Sequence, residues 1–267
     1  MAITTIDGAL AGMQEPEEFL KVGATMEAAG VRHSFFYTSG LPGAAVAPTP
    51  GLGGAALTTY AGQIPWGNPG AGNSYLARFE GTGTTAGTLI LADRLWHNSG
   101  FTITTTTAQT VTSVAFPARD KNGSTNGEGV LVGIEASGAI GGGAVANTTM
   151  SYTPAAGGGP NTATMASWPA TAVAGTFVPF QLAAGDTGVR AITSLTLGTT
   201  YTSGTIHLVA YRKLAQINCP VANVGGAVDA LTSGFVRLFD NTVPFLIWVP
   251  SVTTATTVGG TMIVTQG

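Results

Sequence analysis

From residue 74 onward, short apolar segments alternate with turn signals, and this pattern constrains the fold more than any other feature. Ile206 and Leu208 alternate with His207 and Val209, as expected of a strand whose two faces differ in burial. Pairs such as Asn-Gly and Gly-Gly separate the segments and favour tight turns. Many short strands with glycine-rich turns predict an all-β fold, a β-sandwich or jelly roll. The predicted strands cover residues 74–80, 87–95, 101–107, 111–116, 130–136, 148–153, 176–182, 191–197, 205–214, 234–239, 243–249 and 261–265.

The first 73 residues are predicted to form a short helix and a long arm rich in proline and glycine. Pro16 suits the first position of a helix, and the acidic residues around it favour the positive end of the helix dipole. Apolar residues recur at helical spacing from Phe19 to Ala29. The sequence therefore predicts a helix over residues 16–29. It divides the chain into a helix and arm, residues 1–73, and a β-sandwich domain, residues 74–267.

The arm, residues 35–76, contains no charged residue, and its five prolines prevent long strands or helices. It is too apolar for a solvated linker, so we expect it to lie over the chain's own sandwich or over a neighbouring subunit. A neighbour is favoured, because a loop this long is uncommon within an isolated compact domain. The predicted interface residues are Leu41, Val46, Leu52, Leu57, Tyr60, Ile64 and Trp66.

Charged residues make up only 9% of the chain, whereas 44% of its residues are hydrophobic. Typical soluble proteins contain about 25% charged residues. High hydrophobicity with low charge excludes intrinsic disorder. Because the cores of subunit interfaces are depleted in charge, the composition favours a protein packed against copies of itself over a neutral, threonine-rich monomer.

Several classes of partner are excluded by the same numbers. The net charge of −3 and the pI near 5.5 provide no basic surface for nucleic acid. No apolar run approaches the length of about 18 residues that spans a membrane. The N-terminus lacks the basic and apolar regions of a signal peptide. A single cysteine, Cys219, cannot form an internal disulfide, which is consistent with assembly in a reducing compartment.

The densest polar cluster is formed by residues 93–98. Asp93 and His97 are candidates for acid–base catalysis, because a carboxylate can orient an imidazole. A strand end with a local ion pair between Asp93 and Arg94 and a partly buried Trp96 is the favoured interpretation. No paired carboxylates and no nucleophile motif accompany the cluster, so it does not predict an enzyme.

Residues 119–128 come closest to a calcium-binding loop. Arg119 and Lys121 oppose a cation, so a solvated hairpin tip is the favoured interpretation.

Cys219 precedes a proline without a charged neighbour, which is typical of a packed thiol. We therefore predict no catalytic, cofactor-binding or metal-binding residue.

The aromatic side chains offer one alternative function, a platform for carbohydrate. Packing in a core or an interface is the favoured interpretation, since buried aromatics dominate both. The residues concerned are Tyr60, Trp66, Tyr75, Trp96, Trp168 and Trp248.

Over most of its length the chain resembles structural proteins of tailed bacteriophages that are encoded among virion genes. The resemblance lies in the segments DGALAGMQ (7–14), GATMEAAGV (23–31), SGLPGAA (39–45), LTTYAGQIP (57–65), ADRLWHNSG (92–100) and DNTVPF (240–245). These segments carry no catalytic motif, and the resemblance transfers no individual functional residue.

What the resemblance implies is a capsid decoration or cement protein, a small β-sandwich or jelly-roll module with an arm. Such proteins bind over the capsid lattice and are often trimers, so the implied partners are copies of the chain and the major capsid protein or other virion proteins. The implied location is the virion, assembled in the host cytoplasm. A tail- or fibre-associated protein that binds a receptor or carbohydrate is the alternative, and a polysaccharide depolymerase is disfavoured for want of paired acidic residues.

Overall fold

The computed structural model describes residues 3–170 and 172–267, and its regular secondary structure consists almost entirely of β-strands. This confirms the predicted all-β class with a short N-terminal helix. The helices are α1 (Ile6–Ala11) and α2 (Ala230–Ser233), and a single 3-10 turn spans Phe35–Tyr37. The strands are β1 (Glu17–Ala24), β2 (Arg32–Ser34), β3 (Gly40–Leu41), β4 (Ala55–Ala56), β5 (Ser74–Gly83), β6 (Gly87–His97), β7 (Gln109–Thr110), β8 (Val130–Ala136), β9 (Thr149–Pro154), β10 (Asn161–Met165), β11 (Thr176–Gln181), β12 (Val189–Thr196), β13 (Ile206–Cys219), β14 (Gly226–Asp229), β15 (Val236–Leu238), β16 (Pro244–Pro250) and β17 (Thr256–Gln266).

Six antiparallel strands form the first sheet, here called the flanking sheet. Its order is β14-β5-β17-β1-β3, and β15 also pairs with β5 beside β14. The longest contact in it joins β5 to β17, from Ser74 opposite Gln266 to Gly83 opposite Val258. One face of the flanking sheet packs on the rest of the molecule, and the other face is its exposed face.

The remaining strands form an eleven-stranded sheet that closes on itself. Strands β2, β16, β6, β13, β8 and β11 follow one another, and β11 pairs again with β2 through Thr176 and His33. These six strands are here called the ring. Strands β10, β9, β12 and β7 continue from β11 and are here called the extension, while β4 adds to β6.

Three hydrophobic clusters fill the spaces between these layers. One lies inside the ring and includes Phe36 and Phe245. A second lies between the ring and the extension, around Tyr152 and Leu208. The third lies between the ring and the flanking sheet, around Phe79. The ring is therefore the middle layer. The extension covers one side of it, and the flanking sheet covers another side.

Strand β6 shows how one sequence serves two of these clusters. Leu89 and Leu91 belong to the cluster beneath the flanking sheet, whereas Ile90 and Ala92 belong to the cluster inside the ring. Successive side chains of a strand point to opposite faces, so a strand buried on both faces is apolar at nearly every position. This explains the nearly continuous apolar run of β6.

The helix predicted over residues 16–29 is wrong, because strand β1 occupies this segment. Phe19 and Lys21 are buried while Leu20 and Val22 are exposed, so burial alternates with a period of two. Pairing of β1 with β17 on one side and β3 on the other provides its backbone hydrogen bonds. This tertiary pairing overrides the weak preference of the segment for helix.

Two residues in the sequence, Gly23 and Thr5, are consistent with a strand at residues 17–24 and a helix before it. Gly23 has a positive φ of 68°, which interrupts a helix and accompanies a register shift in β1. The short helix lies earlier, where the Thr5 hydroxyl accepts a hydrogen bond from the backbone N–H of Gly8 at 3.0 Å. This is an N-cap that begins α1.

Most of the strands predicted after residue 74 are present with ends shifted by a few residues, and β8 matches the predicted 130–136. Two predictions are wrong: residues 101–107 and 111–116 form turns and irregular chain. Only Gln109–Thr110 pairs there, with β12. The threonine-rich composition of 101–107 favours strands, but this segment has no neighbouring strand along which to pair.

The arm lies over the rest of its own chain. Leu57 N–H donates to the carbonyl of Leu95 at 2.8 Å, and Ile64 N–H donates to that of Pro244 at 2.9 Å. Strands β1 and β2, from the predicted N-terminal part, pair with strands from the predicted sandwich domain. The boundary at residue 74 stays a prediction about independent folding units. Within residues 3–170 and 172–267, no helix is long and apolar enough to cross a membrane.

Candidate interaction surface and buried polar clusters

The charged residues of β6 do not pair with each other, contrary to the local ion pair predicted for Asp93 and Arg94. Their side chains point to opposite faces, and each finds a partner that is distant in sequence. Arg94 donates to both carboxylate oxygens of Glu135 on β8, at 2.9 and 2.6 Å. The Tyr37 hydroxyl donates to the same carboxylate at 2.9 Å. Arg94 also lies over Phe36, with its Cζ 4.1 Å from the ring centroid.

This cluster is sealed inside the ring, and its charges stabilise each other. Burial alone would lower the pKa of Arg94, but the Glu135 carboxylate raises it above the ordinary value. Burial alone would raise the pKa of Glu135, but Arg94 holds it below the ordinary value. Burial and the nearby carboxylate raise the pKa of Tyr37 well above its usual range. Both members of the ion pair therefore stay charged at neutral pH.

Asp93 faces the other way and fixes the arm. Arg119 donates to its carboxylate through Nε at 2.9 Å and Nη2 at 3.1 Å. Val243 N–H donates to the same carboxylate at 2.9 Å. Nη1 of Arg119 donates to the carbonyl of Leu57 in the arm at 2.7 Å. The sequence gives no sign of this contact, because its members are far apart in the chain.

The histidines near this cluster are poor acid–base groups. Burial, together with the charge of Arg94, lowers the pKa of His97 to about 2, so its imidazole is neutral. Arg94 Nε donates to His97 Nδ1 at 3.3 Å, and the predicted partner Asp93 is occupied by Arg119. Burial also lowers the pKa of His207, whose ring contacts the Asn98 carbonyl at 2.8 Å. Trp96, predicted to be partly buried, is fully buried.

A third buried contact, which sequence reasoning also missed, lies where the ring closes. His33 Nδ1 is 3.2 Å from Glu27 Oε1, and the Thr176 hydroxyl donates to the same oxygen. Both side chains are fully enclosed. The contact joins the segment before β2 to β11 and so supports the closure of the ring. The sequence shows no spacing or motif that would indicate it.

The segment of residues 119–128, compared above with a calcium loop, is organised around a carboxylate. Asp120 accepts hydrogen bonds from the backbone N–H groups of Asn122, Ser124, Gly127 and Glu128, at 2.7–3.1 Å. Although burial raises the pKa of Asp120, these donors hold it below the ordinary value. The tip is solvated as predicted, since Lys121, Asn122, Thr125 and Asn126 are exposed, whereas Asp120 is buried beneath them. Among residues 3–170 and 172–267, no group of three or more His, Cys, Asp or Glu side chains is arranged to hold a metal ion.

The thiol and the tryptophans are packing groups. Cys219 is buried, its thiol donates to the carbonyl of Gly81 at 3.6 Å, and burial raises the thiol's pKa. Trp96, Trp168 and Trp248 are all fully buried. Three of the six side chains considered for a carbohydrate platform are therefore inside the molecule.

The seven predicted interface residues fall into three groups. Leu57 and Ile64 are buried against their own chain. Leu52, Tyr60 and Trp66 are half-buried; Tyr60 stacks on Phe36, and Trp66 donates from Nε1 to the carbonyl of Thr242 at 2.8 Å. Leu41 and Val46 are exposed. Of the predicted set, Leu41 and Val46 are the most accessible to another molecule.

Exposed apolar side chains are concentrated on the flanking sheet, which sequence reasoning did not single out. Among the described residues, thirteen large apolar side chains are exposed, and eight of them belong to the flanking sheet or to the short helices and connections against it. These eight are Ile6, Leu10, Met13, Leu20, Val22, Leu41, Leu231 and Phe235. Val221, Val224 and Val252 lie in the turns that lead into this sheet, and only Val46 and Val114 lie elsewhere.

Part of this exposed set lines a groove between α1 and the β14–β15 connection. Ile6, Leu10 and Met13 form one wall, and Leu231 and Phe235 form the other. Leu10 is 61% exposed and Leu231 is 75% exposed. Contiguous exposed apolar patches of this kind mark sites of interaction with another protein or a ligand.

Comparison with known proteins gives weak similarities only. No protein-family model and no curated protein matches the chain. The structure of infectious bursal disease virus Gx strain aligns at 10% identity with a TM-score of 0.19, over 95% of this chain and 81% of that chain. The T=1 particles derived from infectious bursal virus align at 10% identity with a TM-score of 0.15, over 96% and 79%. The VP2 subviral particle of that virus aligns at 10% identity with a TM-score of 0.11, over 94% and 64%. TM-scores below 0.5 do not establish a shared fold, so the function is argued below from this chain's own residues.

Proposed function

We propose that this chain is a non-enzymatic structural protein of a tailed-bacteriophage virion, a decoration or cement protein that binds and stabilises the assembled head. The observation that carries the proposal is the apolar exposed face of the flanking sheet in a chain with only 9% charged residues. A soluble monomer normally covers such a face with charge. Burial of these side chains against other subunits removes apolar surface from water, which is favourable.

The described polar clusters support a structural role. The charged groups inside the ring pair with each other, and Asp93 and Arg119 hold the arm in place. Each of these groups already has its partners, so none is left to act as a nucleophile or a proton carrier. Binding energy is the proposed mechanism: a protein that binds the assembled shell and not the free subunits stabilises the shell by mass action.

The proposed partners are further copies of the chain and the major capsid protein or other virion proteins. Three copies are favoured by the resemblance to decoration proteins. Leu41 and Val46 are the predicted interface residues that remain exposed for such contacts. The proposed location is the virion, after assembly in the host cytoplasm.

The test is to heat particles that carry the protein and particles from which its gene has been deleted. Particles with the protein should release their genome at a higher temperature, and they should resist chelators and osmotic shock better. At about 100 times its dissociation constant, a bound protein adds about 2.7 kcal/mol per site. A shift in ionic strength should change binding little, since few charges are available for screening.

Two substitutions make the test specific to the flanking sheet. Leu231→Glu places a charge in the exposed groove and should abolish the gain in release temperature. Val114→Glu places the same charge on an exposed valine away from the flanking sheet and should leave the gain intact. Identical release temperatures with and without the parent protein would overturn the cement proposal. Adsorption to host cells would then be measured for the tail or fibre alternative.

A further inference from the structure

We propose that copies of this chain associate head to tail through the two opposite edges of the flanking sheet. The inference rests on the proposed function, in which the chain acts as a homo-oligomer, and it names the contact. One edge, here called the basic edge, comprises Leu231, Phe235 and Arg237. The other, here called the acidic edge, comprises Glu18, Leu20, Val22 and Leu41.

At the basic edge, the half-buried guanidinium of Arg237 stacks on aromatic rings, and the buried guanidinium of Arg212 lies behind it. The Cζ of Arg237 lies 5.0 Å from the ring centroid of Phe239 and 5.8 Å from that of Tyr75. The Cζ of Arg212 lies 5.3 Å from the Phe239 ring, and its Nη2 donates to the Arg237 carbonyl at 2.8 Å. Phe235 packs edge-on against Tyr75, with centroids 5.9 Å apart. Aromatic and arginine side chains of this kind are enriched at the centres of protein interfaces.

Within the described residues, neither of these guanidiniums lies in direct contact with a carboxylate. Neither Arg212 nor Arg237 forms an ion pair, and the Nε of each is buried without a hydrogen-bond partner. The nearby acids are engaged elsewhere. Asp93 and Asp120 act on the charge of Arg212, but they are bonded to Arg119 and to backbone N–H groups. Asp229 caps α2, and Glu80 pairs with Arg78 at 2.6 Å. Asp240 follows β15 and forms no ion pair with either guanidinium.

The acidic edge offers the complementary charge. Glu18, Leu20 and Val22 share the exposed face of β1, and Leu20 lies opposite Leu41 of β3. Leu20, Val22 and Leu41 are each about half exposed, and Glu18 forms no ion pair among the described residues. The basic residue of β1, Lys21, points into the interior. This edge is therefore an apolar strip with unneutralised carboxylate.

The two edges cannot satisfy each other within one chain. Arg237 pairs in register with Tyr75, Tyr75 with Thr265, and Glu18 with Thr261, so all lie on the exposed face of one sheet. Strands β15 and β1 are three strand spacings apart, about 14 Å. A second copy brings the edges together, with Arg237 of one copy against Glu18 of the next. Contacts between different edges form a ring when the rotation from one copy to the next closes, and a ring of three copies is the one that the resemblance implies.

The test is charge reversal followed by sedimentation velocity. Arg237→Glu and Glu18→Arg should each weaken self-association about tenfold, because an attraction becomes a repulsion. The double variant carries both reversals and should recover association close to that of the parent. Circular dichroism and thermal melting of every variant establish that each is folded, and both substituted side chains are at least partly exposed.

Cross-linking provides a second, independent measurement. Leu41→Cys and Leu231→Cys, prepared separately, should form intermolecular disulfides when mixed and not when alone. A parent oligomer that persists in both reversal variants overturns this contact and leaves the proposed homo-oligomer standing. Cross-linking within either cysteine variant alone overturns the head-to-tail arrangement. A parent that stays monomeric in solution and on particles overturns both this contact and the proposed homo-oligomer.

Discussion

The inside of the ring and the exposed face of the flanking sheet reverse the usual distribution of side chains. Inside the ring, Arg94 and Glu135 are fully buried and form a two-point ion pair. On the exposed face, Leu10 and Leu231 are well over half exposed. The chain has ten basic and thirteen acidic residues, and eight of these are buried. A chain with little charge uses a third of it internally, which leaves its surface still poorer in charge.

The two regions make different contributions to the molecule. The ring's buried charges specify one register, since an unpaired buried charge is costly in any other. The most exposed of the apolar residues, such as Leu10 and Leu231, bury little of their surface in the monomer. They become stabilising only when another molecule covers them.

The largest expected effect is loss of the ion pair in the ring. Glu135→Gln leaves the Arg94 guanidinium buried without its counter-charge, which costs about 3–5 kcal/mol. Urea denaturation of the parent and the variant measures the difference in free energy of unfolding. The control is Arg94→Met with Glu135→Leu, which removes both charges and should be less destabilising than Glu135→Gln. An equal or smaller loss in Glu135→Gln would mean that the ring does not depend on paired charge.

A smaller effect is expected where the arm meets the core beneath the flanking sheet. Trp66 is partly buried against that cluster, and its Nε1 donates to the Thr242 carbonyl. Trp66→Ala should lower the free energy of unfolding by about 1.5–3 kcal/mol. Trp66→Phe retains most of the packing and loses the hydrogen bond, so about 1 kcal/mol is expected. If Trp66→Ala melts like the parent, the arm is a passive linker.

The smallest effect at neutral pH is expected at Lys21, beneath the flanking sheet. Its Nζ donates to the carbonyls of Thr38, Pro42 and Gly43 at 2.7–3.3 Å, and burial lowers its pKa from 10.5 to about 8. Lys21→Met loses these bonds but removes a buried charge, so the two effects largely offset each other.

The pH dependence of the free energy of unfolding measures the contribution of Lys21 separately. Between about pH 8 and 10.5, the unfolded chain retains the proton that folded Lys21 has lost. The free energy of unfolding of the parent therefore rises with pH relative to that of Lys21→Met. Urea titrations of both proteins at pH 7.5 and 10 measure the difference. A constant difference would show that Lys21 titrates normally in the folded state.

Local pattern predicted the fold class and most strands after residue 74, because a strand such as β9 carries its alternation in its own residues. It failed for β1, where pairing with β17, more than two hundred residues away, decides the structure. It also failed for Asp93 and Arg94, because their partners Arg119 and Glu135 come from other segments. Local pattern could not predict the exposed face. Phe19 and Leu20 are both large apolar residues, and only the structure shows that one is buried and the other is exposed.

Hydrogen–deuterium exchange of the free chain and of the chain bound on particles tests the central claim most directly. Amides in the short edge strands β3, β14 and β15 have few backbone partners in the monomer and should exchange rapidly there. We predict that these strands and α1 become protected on particles, while β9, β10 and β12 of the extension exchange as before. Protection confined to the extension, with the flanking sheet unchanged, would contradict the assignment of its exposed face as the surface of assembly.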